Sequence, residues 1–224
     1  MAEKVKMGRG EWVPPLLPDN LDNRLPRDFF HRPTLEVCQD IIGQFFFSQH
    51  DGMVTGGRIV EAEAYCGPED LGAHTSGGRR TPRNEAMYGP KGHAYIYLIY
   101  GMYWCINAVC GPVDKPQACL IRALEPVVGL DVMRERLGAP DAAPNTLCRG
   151  PGKLCRALGL DKAVYGEDLL KDRVFLLPGG LVEGEEVGTS PRINIDYAGA
   201  FKDKPWRFYL RGNASVSGPA KWRR

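Results

Sequence analysis

The 224-residue sequence has no excess of charge of either sign. It holds 29 lysines and arginines and 27 aspartates and glutamates, a formal net charge of +2 at pH 7. This balance excludes a composition dominated by one charge, as in acidic disordered chains or polybasic arms. The N-terminus has no apolar core and no cleavage pattern, so we expect no secretory signal.

The cysteines lack the spacing of a metal or disulfide module. Seven are present, with no C-x-x-C pair and no zinc-type spacing to histidine. This pattern predicts reduced, mostly buried thiols in a reducing compartment. The segment R-G-P-G-K-L at 149–154 is similar to an anion-binding turn before a helix, but it lacks the G-x-x-x-x-G-K-[ST] spacing of a phosphate loop. We therefore expect neither a metal nor a nucleotide cofactor.

One stretch without formal charge, 94–113, is long enough to span a bilayer. Tyrosine, asparagine, glycine and proline interrupt it, and its aromatic residues lie in the middle instead of at the ends. The pattern favours two buried strands joined by a turn at Gly101.

Glycine and proline are plentiful, with 27 and 18 residues, and follow no collagen-like period. Such a chain is expected to be rich in loops, with short elements in irregular order. This order predicts an α+β fold around a mainly antiparallel sheet, with a long loop at 66–93. The predicted helices are 33–43, 129–138 and 151–160, with a helical turn at 166–172. The predicted strands are 44–49, 56–65, 94–100, 102–110, 118–127, 174–180, 191–197 and 206–212.

The strand 56–65 carries two carboxylates on one face. Glu61 and Glu63 alternate with small apolar residues, which indicates one apolar face and one solvated or functional face. A carboxylate at the end of a strand can accept a proton from water. Spacing alone favours a plainer interpretation, in which one carboxylate pairs with Arg58 or Arg122 and the other is solvated. Arg122 interrupts an apolar run and requires a carboxylate partner.

Aromatic residues surround the predicted turn at Gly101. Tyr95 and Tyr97 share a face, and Tyr100 lies at the tip, where a large ring has little to pack against. Nucleic-acid enzymes use such wedges to unstack a base, although a tyrosine-rich core is a common alternative. His74 in the long loop and Asn107 in an apolar strand offer polar groups to a base, or else are ordinary surface and backbone-bonded residues.

Basic residues cluster in three segments, 71–93, 145–162 and 201–224. Convergence of these segments on one face would create a polyanion-binding surface. Charge alone favours three solvated surface segments.

Long motifs match a known family. The segments RIVEAEAYCGPEDLGAH, GGRRTPRNEAMYGPKGHAYIYLIYGMYWCIN, LIRALEP, CRGPGKLCRALGL and RFYLRG occur in the order of that family. The chain resembles the alkyladenine (3-methyladenine) DNA glycosylases of the mammalian type over 24–217. The resemblance implies one α+β domain with a curved antiparallel sheet, similar to the C-terminal domain of methionyl-tRNA formyltransferase. We expect a flexible lead-in at 1–23 and a basic tail at 218–224.

The resemblance also implies residue roles. Glu63 matches the general base that activates water, and Arg122 matches a residue that helps to place this water. Tyr100 matches the intercalating wedge. The implied base pocket comprises Tyr65, His74, Tyr97 and Asn107, with Asn107 crowding the amino group of guanine. The implied DNA contacts are Thr81, Arg83 and Met102.

The implied function is excision of damaged purines from double-stranded DNA. The expected substrates are 3-methyladenine, 7-methylguanine, hypoxanthine and ethenoadenine, and the product is an abasic site. No lysine falls at the matched pocket positions, which predicts a monofunctional hydrolase without a Schiff base. We expect an intracellular monomer without cofactors, in the cytoplasm or nucleoid of a bacterium or in a eukaryotic nucleus. Two alternatives stay open: a non-catalytic DNA- or RNA-binding module, and a purine nucleoside hydrolase.

Overall fold

An eight-stranded antiparallel sheet forms the centre of the fold in the computed structural model, which describes residues 23–220. The strands are β1 (Phe45–His50), β2 (Met53–Tyr65), β3 (Ala94–Ile99), β4 (Tyr103–Cys110), β5 (Gln117–Val128), β6 (Val174–Leu177), β7 (Val187–Ser190) and β8 (Arg207–Leu210). The α-helices are α1 (Thr34–Asp40), α2 (Leu130–Leu137), α3 (Pro144–Leu147) and α4 (Pro151–Leu158). Antiparallel strands with helices inserted at irregular intervals confirm the predicted α+β class.

Strand β2 is the longest strand and lies inside the sheet. The main strand order is β3-β4-β5-β2-β1-β6, and β8 joins β2 while β7 joins β8. The first part of β2 pairs with β1, and Glu61 to Glu63 pair with β8. The opposite side of β2 pairs with β5 along nearly its whole length. The segment that carries both carboxylates is therefore hydrogen-bonded on both sides.

The main core lies between the sheet and its helices. Helix α4 contacts β4 and β5, and α2 contacts α4. The sequence explains α4 locally, because Pro151 begins the helix and Gly159 ends it at a φ of 68°. Leu154, Cys155 and Leu158 form its buried face.

Most of the predicted elements are present, and four segments differ. The predicted strand 191–197 is wrong: it forms bends and turns, with Asn194 at a φ of 60°. The predicted helical turn at 166–172 is also wrong, since it forms turns and isolated bridges. Helix α3 and strand β7 lacked a clear periodic signal, because each is only four residues long.

The seven cysteines are all free, and six of them are buried. Burial raises the pKa of the half-buried Cys66 to about 12, which keeps its thiol protonated. None of the helices in the described part of the chain has the length and apolar character that a membrane crossing demands. The 94–113 stretch contains the adjacent strands β3 and β4, as predicted.

The predicted domain limits remain predictions. The segment 1–23 lies outside the described residues except for Asn23, and only the first three residues of the 218–224 tail lie inside them.

Candidate active site

A cavity of about 370 Å³ opens where β2, β3, β4 and β5 meet three loops and the start of α4. The loops are 66–93, 191–198 and the β3–β4 turn. Predicted site residues that line it are Tyr65, His74, Tyr97, Tyr100, Asn107 and Arg122. The fold thus brings six of the ten predicted site residues to one cavity.

A β-bulge places Arg122 beside the two carboxylates. In the β2–β5 ladder Glu61 pairs with Ala123 and Ala62 with Ile121, so Arg122 has no register partner. Its Nε donates to Glu61 at 2.8 Å and its Nη1 to Glu63 at 3.2 Å. The predicted pairing of Arg122 is confirmed, and it involves both carboxylates.

Glu61 is buried in a network of four donors. Its carboxylate accepts from Arg122, from Arg207 Nε at 2.7 Å, and from the backbone N–H and the hydroxyl of Ser217 at 2.7 and 2.8 Å. Burial alone would raise the pKa of Glu61, but the two guanidinium groups lower it below its usual range. Glu61 therefore stays ionised and holds Arg122 in place.

Glu63 is fully buried and accepts three hydrogen bonds. One oxygen accepts from Tyr65 Oη at 3.0 Å and from Arg122, and the other accepts from the backbone N–H of Ile193 at 2.8 Å. All three donor residues line the cavity. The expectation that one carboxylate would be solvated is wrong: Glu61 is covered by Arg207 and Ser217, and Glu63 is covered by the loop that contains Ile193.

The two glutamates also raise the pKa of Arg122 above its usual value, against the lowering effect of burial. Arg122 therefore remains a cation inside the site. The buried cluster contains two carboxylates, Glu61 and Glu63, and two guanidinium groups, Arg122 and Arg207. Its charges balance, which lowers the electrostatic cost of burial.

Aromatic rings form one wall of the cavity. The rings of Tyr95 and Tyr97 lie 5.3 Å apart, and His74 meets Tyr97 edge-on at 4.5 Å. The Nδ1 atom of His74 lies 2.8 Å from Tyr95 Oη. Burial and the nearby Arg83 and Arg79 lower the pKa of His74 to about 4. Its ring is therefore neutral at pH 7 and carries one N–H donor.

Asn107 lines the cavity and bonds to the neighbouring strand. Its amide Nδ2 donates to the backbone carbonyl of Tyr95 at 2.9 Å. The backbone bond expected of an ordinary buried asparagine is present, and the side chain also lines the cavity.

The β3–β4 turn carries exposed apolar side chains at the cavity mouth. Tyr100 is 71% exposed and Met102 is 66% exposed. Tyr100 and Gly101 both have positive φ, 53° and 68°, as in the primed turns that fit hairpin twist. A bulky residue in this conformation is strained, and strain of this kind clusters at functional sites.

The predicted DNA contacts in the long loop lie near this mouth. Arg83 donates to the backbone carbonyl of Leu98 at 2.9 Å, and its guanidinium lies 5.5 Å from the centre of the Tyr97 ring. Thr81 is tied to Asn84 through its backbone N–H and its hydroxyl. The structure leaves the roles of Thr81, Arg83 and Met102 in DNA binding as predictions.

Two of the three basic segments reach the cavity. Arg79 and Arg83 are close enough to lower the pKa of His74, and Arg149 and Lys153 line the cavity. Lys153 lines the cavity, although it is not among the pocket positions that the family resemblance implied. Its Nζ donates to the carbonyl of Thr146 at 3.3 Å.

Several residues at the site were not predicted from the sequence. For Tyr95 a signal was available: it shares a strand face with Tyr97, which was predicted to line the base pocket. The other four depend on loops that fold back from distant parts of the chain: Asp70, Arg192, Ile193 and Tyr197.

Comparison with known proteins gives three findings. The sequence model of the methylpurine-DNA glycosylase family matches residues 28–214. A Bacillus cereus protein named "Putative 3-methyladenine DNA glycosylase" is 45% identical over 203 residues, covering 86% of this chain and 98% of that protein. A Clostridium acetobutylicum protein of the same name is 42% identical over 200 residues, covering 87% and 97%.

Proposed function

Since the chain belongs to the methylpurine-DNA glycosylase family, whose members are DNA-repair enzymes for alkylated purines, we propose that it flips damaged purines out of duplex DNA and hydrolyses their N-glycosidic bond. The observation that supports this most directly is the Glu63–Arg122 pair directly behind a cavity lined with aromatic rings. An exposed, strained Tyr100 stands at the mouth of the same cavity.

The first proposed step is base flipping. Tyr100 enters the duplex and fills the gap, while the damaged purine turns into the cavity between Tyr65, His74 and Tyr97. Flipping costs a few kcal/mol and costs least for a damaged or mispaired base, which gives a first layer of selectivity. Arg83, Thr81 and Met102 would contact the strand beside the wedge.

The chemical step uses Glu63 as the base. A carboxylate has about four acceptor positions, and three are occupied by Tyr65, Arg122 and Ile193. We propose that the fourth, on the oxygen that accepts from Ile193, accepts a hydrogen bond from the attacking water. Glu63 takes a proton from this water as its oxygen bonds to C1′, and the bond to the purine nitrogen breaks with its electron pair on the leaving base.

The charge of the damaged base determines whether its departure requires a proton donor. A cationic 3-methyladenine or 7-methylguanine leaves without an acid, whereas neutral hypoxanthine requires a proton. His74 is unsuited to supply this proton at pH 7, because its lowered pKa keeps the ring neutral. We propose that its remaining N–H reads a base edge instead. Asn107 would crowd the amino group of an undamaged guanine.

Single-turnover excision on two labelled duplexes tests this function. One duplex carries hypoxanthine opposite T and the other carries 1,N6-ethenoadenine, with methylated DNA as the source of cationic bases. We expect an abasic product from at least one of these substrates and no cleavage of free inosine. Tight binding with no product on any substrate would favour a binding module, and cleavage of inosine would favour a nucleoside hydrolase.

Borohydride trapping distinguishes hydrolysis by water from attack by an amine that forms a Schiff base with the DNA. We propose monofunctional hydrolysis, so no covalent enzyme–DNA adduct is expected. An adduct that disappears in Lys153→Gln would instead identify Lys153 as a Schiff-base amine.

Replacement of Tyr100 separates its function from its effect on stability. Tyr100→Gly relieves the positive φ of a bulky residue, so we expect the free energy of unfolding to rise by about 1 kcal/mol. The same change removes the wedge, and we expect single-turnover excision to fall by about tenfold or more. Denaturant unfolding and excision assays measure the two effects.

Leu181→Gly is a suitable control, since Leu181 is also an exposed apolar side chain but does not line the cavity. It should leave excision unchanged. Full activity of Tyr100→Gly would contradict the wedge.

A further inference from the structure

Arg192 lies directly behind the cavity wall. Its guanidinium carbon is 4.7 Å from the centre of the Tyr65 ring and 5.1 Å from the centre of the Trp206 ring. It is therefore placed between two aromatic faces. Tyr65 lines the cavity, so the cation lies one ring away from any base that stacks on this wall.

The surroundings of Arg192 fix its position. Two parallel hydrogen bonds of 2.6 and 2.7 Å join it to Asp70, and the ion pair is fully buried. Asp70 also accepts from the backbone N–H groups of Cys66 and Gly72. A side chain at Gly72 would bring its Cβ to 2.8 Å from Nη2 of Arg192. Any larger residue at this position would therefore displace the guanidinium from Asp70.

Nε of Arg192 is buried without a hydrogen-bond partner among the described residues. Nη1 and Nη2 both donate to Asp70, and Nη1 also donates to the backbone carbonyl of Ala64 at 2.9 Å. The hydrogen bonds therefore hold the Nη end of the guanidinium, while its central carbon lies over the two rings.

A cation on one face of an aromatic ring draws electron density from the other face. The free face of Tyr65 is then a poorer partner for a positively charged base and a relatively better one for a neutral purine. Arg122 differs in its placement: it bonds to Glu61 and Glu63 at 2.8 and 3.2 Å. Arg192 is the arginine whose guanidinium lies over the face of the Tyr65 ring.

We infer that Arg192 is a positioning residue that sets lesion specificity: by stacking behind Tyr65 it shifts the site away from cationic alkylpurines and toward neutral purine lesions. The inference rests on the proposed function, in which the flipped base stacks on Tyr65. It concerns the ratio of two excision rates and leaves the role of Glu63 unchanged.

The test is a ratio of single-turnover rates: the excision rate on a 7-methylguanine duplex divided by the excision rate on a hypoxanthine duplex. The double variant Arg192→Gln/Asp70→Asn removes both charges and keeps hydrogen-bonding side chains, and we expect the ratio to rise by about threefold or more. Asp70→Asn alone leaves the cation without its counter-charge, so the ratio should fall below that of the wild type. Thermal unfolding shows whether each variant is folded.

Arg27→Gln/Asp168→Asn is the matched control, because it removes a partly buried Arg–Asp pair of 2.6 Å that does not line the cavity. Its ratio should equal that of the wild type. A purely structural role of Arg192 lowers both rates together, and an unchanged ratio in the folded double variant overturns the inference. If the double variant does not fold, Asp70→Asn decides: a lower ratio supports the inference, and an equal or higher one overturns it. Wild-type excision establishes the proposed function separately.

Discussion

Glu63→Gln is expected to reduce single-turnover excision by about 10³-fold, because a positioned general base contributes roughly 10²- to 10⁴-fold. The glutamine side chain has nearly the same shape but cannot take a proton from water. Binding to a duplex with a damaged base should persist, since Tyr100 and the cavity rings are unchanged. Abasic-product formation and gel-shift titration measure the two properties.

The fold should tolerate this substitution. In either amide orientation the glutamine NH₂ faces a donor, either the Ile193 N–H or the pair Tyr65 and Arg122. One lost hydrogen bond costs about 1–3 kcal/mol, while Arg122 keeps its contact with Glu61. Glu36→Gln, on the exposed face of α1, is the control and should leave excision unchanged. Excision at the wild-type rate by Glu63→Gln would refute the assignment of the base.

Glu61→Leu should produce the largest loss of stability. The change removes the carboxylate shared by two buried arginines, Arg122 and Arg207. Removing one partner of a buried ion pair costs about 3–5 kcal/mol, because the remaining charge loses its compensation. Urea unfolding measures the effect. Glu85→Leu is the contrasting control, since its pair with Arg80 is exposed and should contribute little to stability.

The same carboxylate predicts the direction of acid sensitivity. The pKa of Glu61 is lowered in the folded protein, so its contribution is complete above the unfolded value of about 4.3 and is lost as pH falls through the lower folded value. Stability of the wild type should therefore decline below about pH 4. Glu61→Gln should show a shallower decline over that interval, and an identical decline in both proteins would contradict this role.

Local sequence patterns predicted the parts of the site that lie on strands. Glu61 and Glu63 alternate along one strand, and an arginine within an apolar run requires a carboxylate, so the Arg122 pairing followed from the residues. The hairpin tip at Tyr100 followed from a glycine between two aromatic strands. Assignment of roles to these residues came from the resemblance to a family.

The parts that depend on distant loops could not be predicted in this way. The segment 191–197 alternates polar and apolar residues as a strand does, yet Arg192 is drawn to Asp70 and the chain bends around that buried pair. The second partner of Glu61, Arg207, is contributed by β8 from the end of the chain. These contacts join residues that are far apart in the sequence, so no periodic pattern within a short window predicts them.

The position of β2 inside the sheet has a consequence for the timing of repair. Backbone hydrogen bonds to β5 and β8 hold the segment from Glu61 to Glu63 on both sides, so the carboxylate proposed as the base is fixed before any substrate arrives. In the proposed reaction the protein then has little rearrangement to complete, and the large movement is that of the nucleotide. We expect the residence time of the extruded base, more than any closing of the protein, to decide whether a damaged site is cut or released.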